Sequence, residues 1–412
     1  MRRVAVTGMG VISPVGNTLD EYWKNLTEGK GGIDFITRFD VSDCKVKVAA
    51  EVKDFDPLQY LAKNEVRKND LYTQYAVAAA EQAVQDSGIL ENIDPERFGV
   101  YIGSGIGGIT TFVSECIKME KSGPRRVSPF FIPMIIGNIA AGTVSIRYKA
   151  MGPTLPCVTA CATSTNTLGE AFRAIKYGYA DAIIAGGSEA ALCPIGIAGF
   201  TNCMALTARN DPASACIPFD KRRDGFVMGE GAAMLILEEY EHAKARGAKI
   251  YGEICGYGNS SDAYHITAPD PEAAGIARAM KLAIVEAGFV PDEHTYVNAH
   301  GTSTPLNDKS ETVAFKNVFG EVAQKVAISS TKSMTGHMLG ATGAAEAVAC
   351  LMALKDGIVP PTIGYTEPDP DCDLDYTPNT ARRMEVKTAL STSLGFGGHN
   401  ACLAFCRMEE ED

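Results

Sequence analysis

The chain has 412 residues, and at ~150 residues per domain that is too long for one small core, so two packed halves are expected. Hydrophobic residues make up 46% and charged residues 21%, which excludes a disordered chain and allows a sizeable buried core. Acidic side chains outnumber basic ones by 50 to 38, the net charge is −12 and no Lys/Arg-rich run occurs, so neither nucleic acid nor an anionic membrane is expected as a partner.

Taken in chain order, MRRVAVTGMGVISPVGN opens with a predicted strand, Arg3–Thr7, and Gly and Pro interrupt it before a signal-peptide core or a ~20-residue span could form. A cytoplasmic protein without membrane insertion is therefore expected. A helix follows over Leu71–Ser87, then a strand over Phe98–Ile102, a helix over Ala162–Tyr177, and strands over Asp181–Ala185, Ala233–Leu237 and Tyr251–Tyr257. The C-terminal part adds helices at Ala273–Ala287, Lys309–Phe319 and Ala341–Leu354, with strands at Thr295–Asn298, Val326–Ser329 and Ala401–Phe405. Several strands are near-continuously apolar, as strands covered on both faces should be, and the helices carry apolar residues at three-and-four spacing.

A faint duplication runs through this pattern. Val4–Pro14 (VAVTGMGVISP) and Gly252–Ser261 (GEICGYGNSS) are β-runs breaking at glycine, and ACATSTNTLGEAFRAI and GHMLGATGAAEAVACLMAL each set a small-residue turn before an Ala-rich helix. No linker rich in Pro, Ser or charge separates the two parts. The expectation is an α/β fold of two similar halves, residues 1–250 and 251–412, with layered sheets and helices on their faces.

The twelve cysteines contain no C-x-x-C pair, which argues against a zinc ribbon or a redox dithiol and for buried free thiols in a reducing compartment. Cys161 differs, because it stands where TACATSTNTLGEAFRAIKYG turns into a helix with apolar face Leu168, Phe172 and Ile175. Free N–H groups and the helix dipole would favour a thiolate there and make a nucleophile; a small residue packed at a helix start is the other reading. His300 in YVNAHGTSTPLND and His337 in ISSTKSMTGHMLGATG lie in similar glycine-flanked turns after strands, so a Cys/His/His constellation is conceivable beside two merely packed histidines. His242 and His294 read as surface residues, while His265 and His399 stay open.

Lys332 and Glu346 bracket His337, where the lysine either tunes charge near a nucleophile or is solvated in its loop. Gly395–Asn400 (GFGGHN) carries one large side chain, Phe396, in a run suited to close backbone approach and to an oxyanion N–H. The GSGIGG turn at Gly103–Gly108 formally matches G-x-G-x-x-G, but no ribose-binding acid follows at the required distance. No P-loop, H-E-x-x-H or G-x-S-x-G motif occurs either.

Seven segments in order, VAVTGMGVISPVGN, GSGIGG, TACATS, PFDKRRDGFVMGEGA, VNAHGTSTPLND, STKSMTGH and GFGGHN, cover nearly the whole chain. On these segments the sequence resembles the β-ketoacyl-acyl-carrier-protein synthases of fatty-acid synthesis, acyltransferases that run a decarboxylative Claisen condensation. The resemblance implies a thiolase-like α-β-α-β-α fold of two duplicated halves, a homodimer, acyl carrier protein as partner and no organic cofactor. It makes Cys161 the acyl-accepting nucleophile, His300 and His337 the decarboxylation pair, Lys332 and Glu346 supporting charges, and Phe396 the gating aromatic. Thr302 and Thr304 match hydroxyls that contact pantetheine, and Asn298, Ala299, Glu346 and Ser391 match positions around a monovalent cation in some relatives. Ile106 stands where the synthase II type carries its acyl-pocket gate and synthase I has glycine.

Four positions depart from the family pattern: Asn166 replaces a histidine, Thr392 an asparagine, Leu394 a phenylalanine and His399 a threonine. A degradative thiolase would need a second cysteine in the GFGGHN loop, which has none, and a non-catalytic chain-length subunit would lack Cys161. A ketosynthase of a polyketide or aryl-polyene pathway shares these motifs and stays open as an alternative.

Overall fold

A computed structural model of the chain describes residues 1–408. Nine strands form the main sheet: β1 (Val4–Ile12), β2 (Phe98–Gly103), β3 (Ala182–Glu189), β4 (Gly231–Glu239), β5 (Gly252–Ser261), β6 (Thr295–Asn298), β7 (Ala327–Ser329), β8 (Thr388–Gly395) and β9 (His399–Cys406). Their spatial order is β2-β3-β4-β1-β5-β9-β8-β6-β7. The two flanks join at the antiparallel pair β1 and β5 through a short register, Val4 opposite Ile254 to Val6 opposite Gly252. Outward from that seam each flank repeats one scheme: two antiparallel neighbours, then a parallel strand. The parallel pair β6 and β7 has its counterpart at Val100, which bridges Thr154 in parallel on the other flank.

Five helices build the layers: α1 (Leu71–Ser87), α2 (Thr163–Lys176), α3 (Ala274–Ala287), α4 (Pro305–Phe319) and α5 (Thr342–Asp356). The outer helices α1 and α3 sit on β1 and β5 by the same device, glycines at alternate strand positions. A Cβ on Gly8 or Gly10 would lie 2.2 and 2.1 Å from carbonyl oxygens of α1, and one on Gly256 or Gly258 would lie 2.1 and 1.8 Å from those of α3. The faint sequence duplication thus has a packing cause, since only glycine admits a helix this close to a strand.

Between the flanks run α2 and α5, both almost wholly buried. Leu168, Phe172 and Ile175 of α2 and Val348 and Leu351 of α5 share one core with Ile183, Leu235 and Leu403. Separate cores lie under α1 and under α3 with α4, which gives the α-β-α-β-α layering implied by the resemblance. At ~1.5–3 kcal/mol for each fully buried large apolar side chain, the central core dominates the stability of the chain. Where the N-termini of α2 and α5 cross, a Cβ on Gly343 would lie 1.9 Å from Thr165 Oγ1, so the turns that lead into the two helices are held side by side.

The predicted elements are present with shifted ends. Helix α4 begins at Pro305 rather than Lys309, because proline at the first helical position costs no hydrogen bond. Strand β8 was not expected: TALSTSLG lacks an apolar run, yet Ser391, Thr392 and Ser393 are fully buried in it. Further helices at Leu19–Thr27, Ile109–Ser122, Ile139–Tyr148 and Pro194–Asn202 were also unanticipated. One expectation for the thiols is corrected: Cys255 on β5 and Cys406 on β9 form a disulfide, with Cα atoms 6.2 Å apart on paired strands, and the other ten cysteines are free.

Candidate active site

Cys161 sits in a 3₁₀ turn, Ala160–Ala162, directly before α2. Ala160 takes a left-handed backbone, φ +51°, to make that turn. The end of β8 closes over it, since a Cβ on Gly395 would lie 2.5 Å from the Thr159 carbonyl oxygen. Backbone N–H groups of Phe396 and of Cys161 itself reach the sulfur, which places two donors where an oxyanion would form. The helix terminus does not produce a low-pKa thiol as the sequence suggested. Burial pushes the Cys161 thiol up to about 12, Lys332 and the two N–H groups oppose that shift, and the Glu189 carboxylate adds to it.

His300 follows β6 and is buried, its backbone N–H donating to Glu311 Oε1 at 2.8 Å and to Thr392 Oγ1 at 3.1 Å. The Gly301 N–H reaches Glu311 Oε2 at 2.6 Å, so one carboxylate orients the whole His300 turn. His337 is held through its backbone, donating to the Val227 carbonyl at 2.7 Å and accepting from the Gly229 N–H at 2.8 Å. Its Nδ1 accepts the Leu339 backbone N–H at 3.3 Å and lies 3.1 Å from Thr342 Oγ1. A backbone N–H can only donate, so the neutral ring carries its proton on Nε2. The two imidazoles stand edge to face, centroids 5.3 Å apart, and Phe226 packs against His337 at 5.0 Å. Burial, then the nearby Lys332 charge, hold both histidines well below the ordinary imidazole value of 6.5, so both are neutral.

Lys332 forms a fully buried ion pair with Glu346 Oε1, and burial pushes the Glu346 carboxyl up. Behind this pair Glu346 Oε2, both side-chain atoms of Asn298 and Ser391 Oγ are buried without a partner. Ala299 adjoins them, its N–H donating to the Ser329 carbonyl at 2.9 Å. Unsatisfied buried oxygens of this kind suit a monovalent cation. Among the described residues no group of three or more His, Cys, Asp or Glu could hold a metal ion.

A cavity of about 400 Å³ is lined by Cys161, His300, His337, Thr302, Thr304, Leu394 and Phe396. The hydroxyls of Thr302 and Thr304 are 2.8 Å apart. Ile106 does not line it; it lies in the GSGIGG turn, 38% exposed. Lys332, Glu346, Asn298, Ala299 and Ser391 lie behind the cavity rather than on its wall. Three carboxyls were not singled out in the sequence: Glu311 and Asp308 on α4, and Glu189 at the end of β3, all fully buried. The Asp and Glu of PLNDKSET read as an ordinary polar helix face, and only the strand-helix packing buries them.

The departures are accommodated locally. Asn166 donates to Thr159 Oγ1 and accepts from the Tyr257 hydroxyl, each at 2.7 Å. Thr392 donates to Glu311 Oε1 at 2.9 Å besides receiving the His300 N–H. Leu394 is half-buried in the cavity wall, and half-buried His399 packs beside Gly397.

Residues 1–243 match the family model of the beta-ketoacyl synthase N-terminal domain, and residues 251–366 match that of the C-terminal domain. The chain is 52% identical over 406 residues to 3-oxoacyl-[acyl-carrier-protein] synthase 2 of Synechocystis sp., covering 98% of each chain. It is 51% identical over 409 residues to the protein of the same name from Staphylococcus aureus, covering 99% of each. Among solved structures, a beta-ketoacyl synthase from Burkholderia phymatum superposes with a TM-score of 0.92 at 36% identity, covering 99% of this chain and all of that one. A ketosynthase in complex with its type II PKS acyl-carrier protein gives a TM-score of 0.91 at 37% identity, with coverage of 99% and 100%.

Proposed function

The chain belongs to the β-ketoacyl synthase family, and from that premise we propose the following reaction and division of labour. It condenses an acyl thioester with malonyl-acyl carrier protein, giving 3-oxoacyl-acyl carrier protein and CO₂ in fatty-acid chain elongation. The observation that carries this reading is the opening of one helix-leading thiol and two neutral imidazoles on a single cavity.

In the first half-reaction Cys161 Sγ attacks the acyl thioester while the N–H groups of Cys161 and Phe396 hold the oxyanion. The resting thiol is protonated, so its proton leaves as the new C–S bond forms and ends on the departing pantetheine sulfur. Thr302 and Thr304 bind the pantetheine arm, Ile106 gates the acyl pocket and Phe396 gates the cavity. In the second half-reaction His337 Nε2–H and His300 donate to the malonyl thioester oxygen. Loss of CO₂ leaves an enolate stabilised by those donors, its carbon attacks acyl-Cys161, and the released thiolate takes a proton from solvent. Lys332 stabilises negative charge in the site, and Glu346 fixes Lys332.

The unpartnered oxygens of Asn298, Glu346 and Ser391, with Ala299 beside them, would hold a monovalent cation, which supplies positive charge to that cluster when bound. The chain divides near residue 250, where β4 and its short following helix give way to β5. A homodimer forms, and Phe112, Ile117, Met119, Ile132 and Leu155 are among the exposed apolar side chains that such an interface would cover. Acyl carrier protein is the macromolecular partner, and the protein is assigned to the cytoplasm; no described helix is long and apolar enough to cross a membrane. The identity of 51–52% to synthases named for fatty-acid products, against 37% to the type II polyketide ketosynthase, favours elongation over a polyketide role.

The test is mass spectrometry after incubation with a ladder of acyl-carrier proteins and malonyl-carrier protein. Peptide mapping should place the acyl mass on Cys161, and products should be two carbons longer than each donor. An acyl mass on Cys157 or Cys203 would overturn the assignment.

A further inference from the structure

Glu189 ends β3, is fully buried and touches neither the cavity nor a cation. Its carboxylate gathers four neutral donors from two distant parts of the chain. Oε1 accepts the Ser104 hydroxyl at 2.9 Å and the Ile106 N–H at 3.2 Å; Oε2 accepts the Gly105 N–H at 2.8 Å and the Gly340 N–H at 3.1 Å. Ser104 Oγ in turn accepts the Gly107 N–H at 2.9 Å. Every backbone donor of the gate turn from 105 to 107 is therefore fixed, directly or through one hydroxyl, by this carboxylate.

The glycines show how closely the parts are drawn in. A Cβ on Gly340 would lie 2.5 Å from the Gly105 nitrogen and 2.8 Å from Glu189 Oε2, and a Cβ on Gly105 would also lie 2.8 Å from Oε2. Gly340 follows Leu339, whose N–H fixes the tautomer of His337. The carboxylate carries an electrostatic cost, because it opposes ionisation of Cys161. A group that works against the nucleophile and yet keeps four donors is placed there for geometry.

We propose that Glu189 is a positioning residue that clamps the gate turn bearing Ile106 and the turn bearing His337 to one anchor, and so sets both acyl-chain selectivity and the decarboxylation geometry. This rests on the reading of Ile106 as the acyl-pocket gate. Its side chain is partly exposed, so the backbone anchor, not side-chain packing, holds its resting position.

Glu189→Gln separates the two hands of the clamp. The amide oxygen at the place of Oε2 keeps Gly105 and Gly340, while the NH₂ at the place of Oε1 can donate to Ser104 but cannot accept from Ile106. The ratio of acylation rates with long-chain and short-chain acyl-carrier proteins should rise about three- to tenfold, the loss of one ordinary hydrogen bond. Malonyl-carrier-protein decarboxylation by the same variant, alkylated at Cys161 with iodoacetamide, should stay within about twofold of the alkylated parent. Glu189→Ala frees both turns and should also depress decarboxylation, by roughly tenfold. Ser104→Ala is the milder variant if Glu189→Ala does not fold, and it should move only the chain-length ratio.

Equal loss for long and short donors in Glu189→Gln, or an unchanged ratio in both Glu189→Gln and Ser104→Ala, overturns the proposal. Ile106→Phe run in parallel locates the failure. If it leaves the ratio unmoved, the gate reading itself fails; if it shifts the ratio and Glu189→Gln does not, only the role of Glu189 fails.

Discussion

Replacing His337 by alanine separates the two half-reactions. In the proposed reaction the ring donates to the malonyl thioester through Nε2–H, the tautomer imposed by the Leu339 N–H on Nδ1 at 3.3 Å. The charge it meets exists only once CO₂ departs, so its loss falls on the enolate-forming transition state. A donor of this type is worth ~10²–10³ in rate, or about 2.7–4 kcal/mol. Alanine also strands the Leu339 N–H and removes a ring packed on Phe226, so about 1–3 kcal/mol of stability should be lost, which thermal unfolding of the variant measures. Acyl loading depends on Cys161 and the N–H groups of Cys161 and Phe396, none of which changes, so it should slow by less than about tenfold. The assay pairs peptide mapping of acyl-Cys161 with release of ¹⁴CO₂ from carboxyl-labelled malonyl-carrier protein. If the variant decarboxylates normally and fails only to load, the roles assigned to thiol and imidazole are reversed.

Ile106→Phe should depress acylation by long donors about tenfold more than by short ones, because a rigid ring cannot swing aside; equal losses, read by the same mapping assay, would make Ile106 merely structural. Both histidines are held well below 6.5, so their imidazole NMR signals should stay those of the neutral ring as pH falls from 8 through 6.5 and change only at lower pH. A midpoint at the ordinary histidine value in those imidazole signals would refute their desolvation. Cys255→Ser opens a loop of 151 residues that encloses both histidines, and denaturant unfolding in buffer free of reducing agent should show a loss of about 2–4 kcal/mol with no change in product length. The same midpoint for variant and parent would mean the bond is not formed in solution.

The segment order, the helix-leading Cys161 and the two strand-end histidines were legible in the sequence because each depends on local chemistry: glycine where the chain turns, apolar spacing where a helix packs, a motif where a side chain must meet a thioester. Strand β8 was not legible, since its buried Ser391, Thr392 and Ser393 look like a polar loop until neighbours on both sides supply their partners. The same holds for the carboxyls. Glu311 and Glu189 are unremarked acids in the sequence, and become anchors only because folding removes them from water and surrounds them with N–H groups from turns far away in the chain. Sequence also suggested a thiol made acidic by its helix, whereas desolvation, a property of the closed cavity, outweighs the dipole and keeps it protonated. Local motifs were enough to pick out the thiol and the two imidazoles that line the cavity; their protonation, their tautomer and what holds them arise only in the folded chain, because burial and long-range hydrogen bonds exist only once the two halves have closed around α2 and α5.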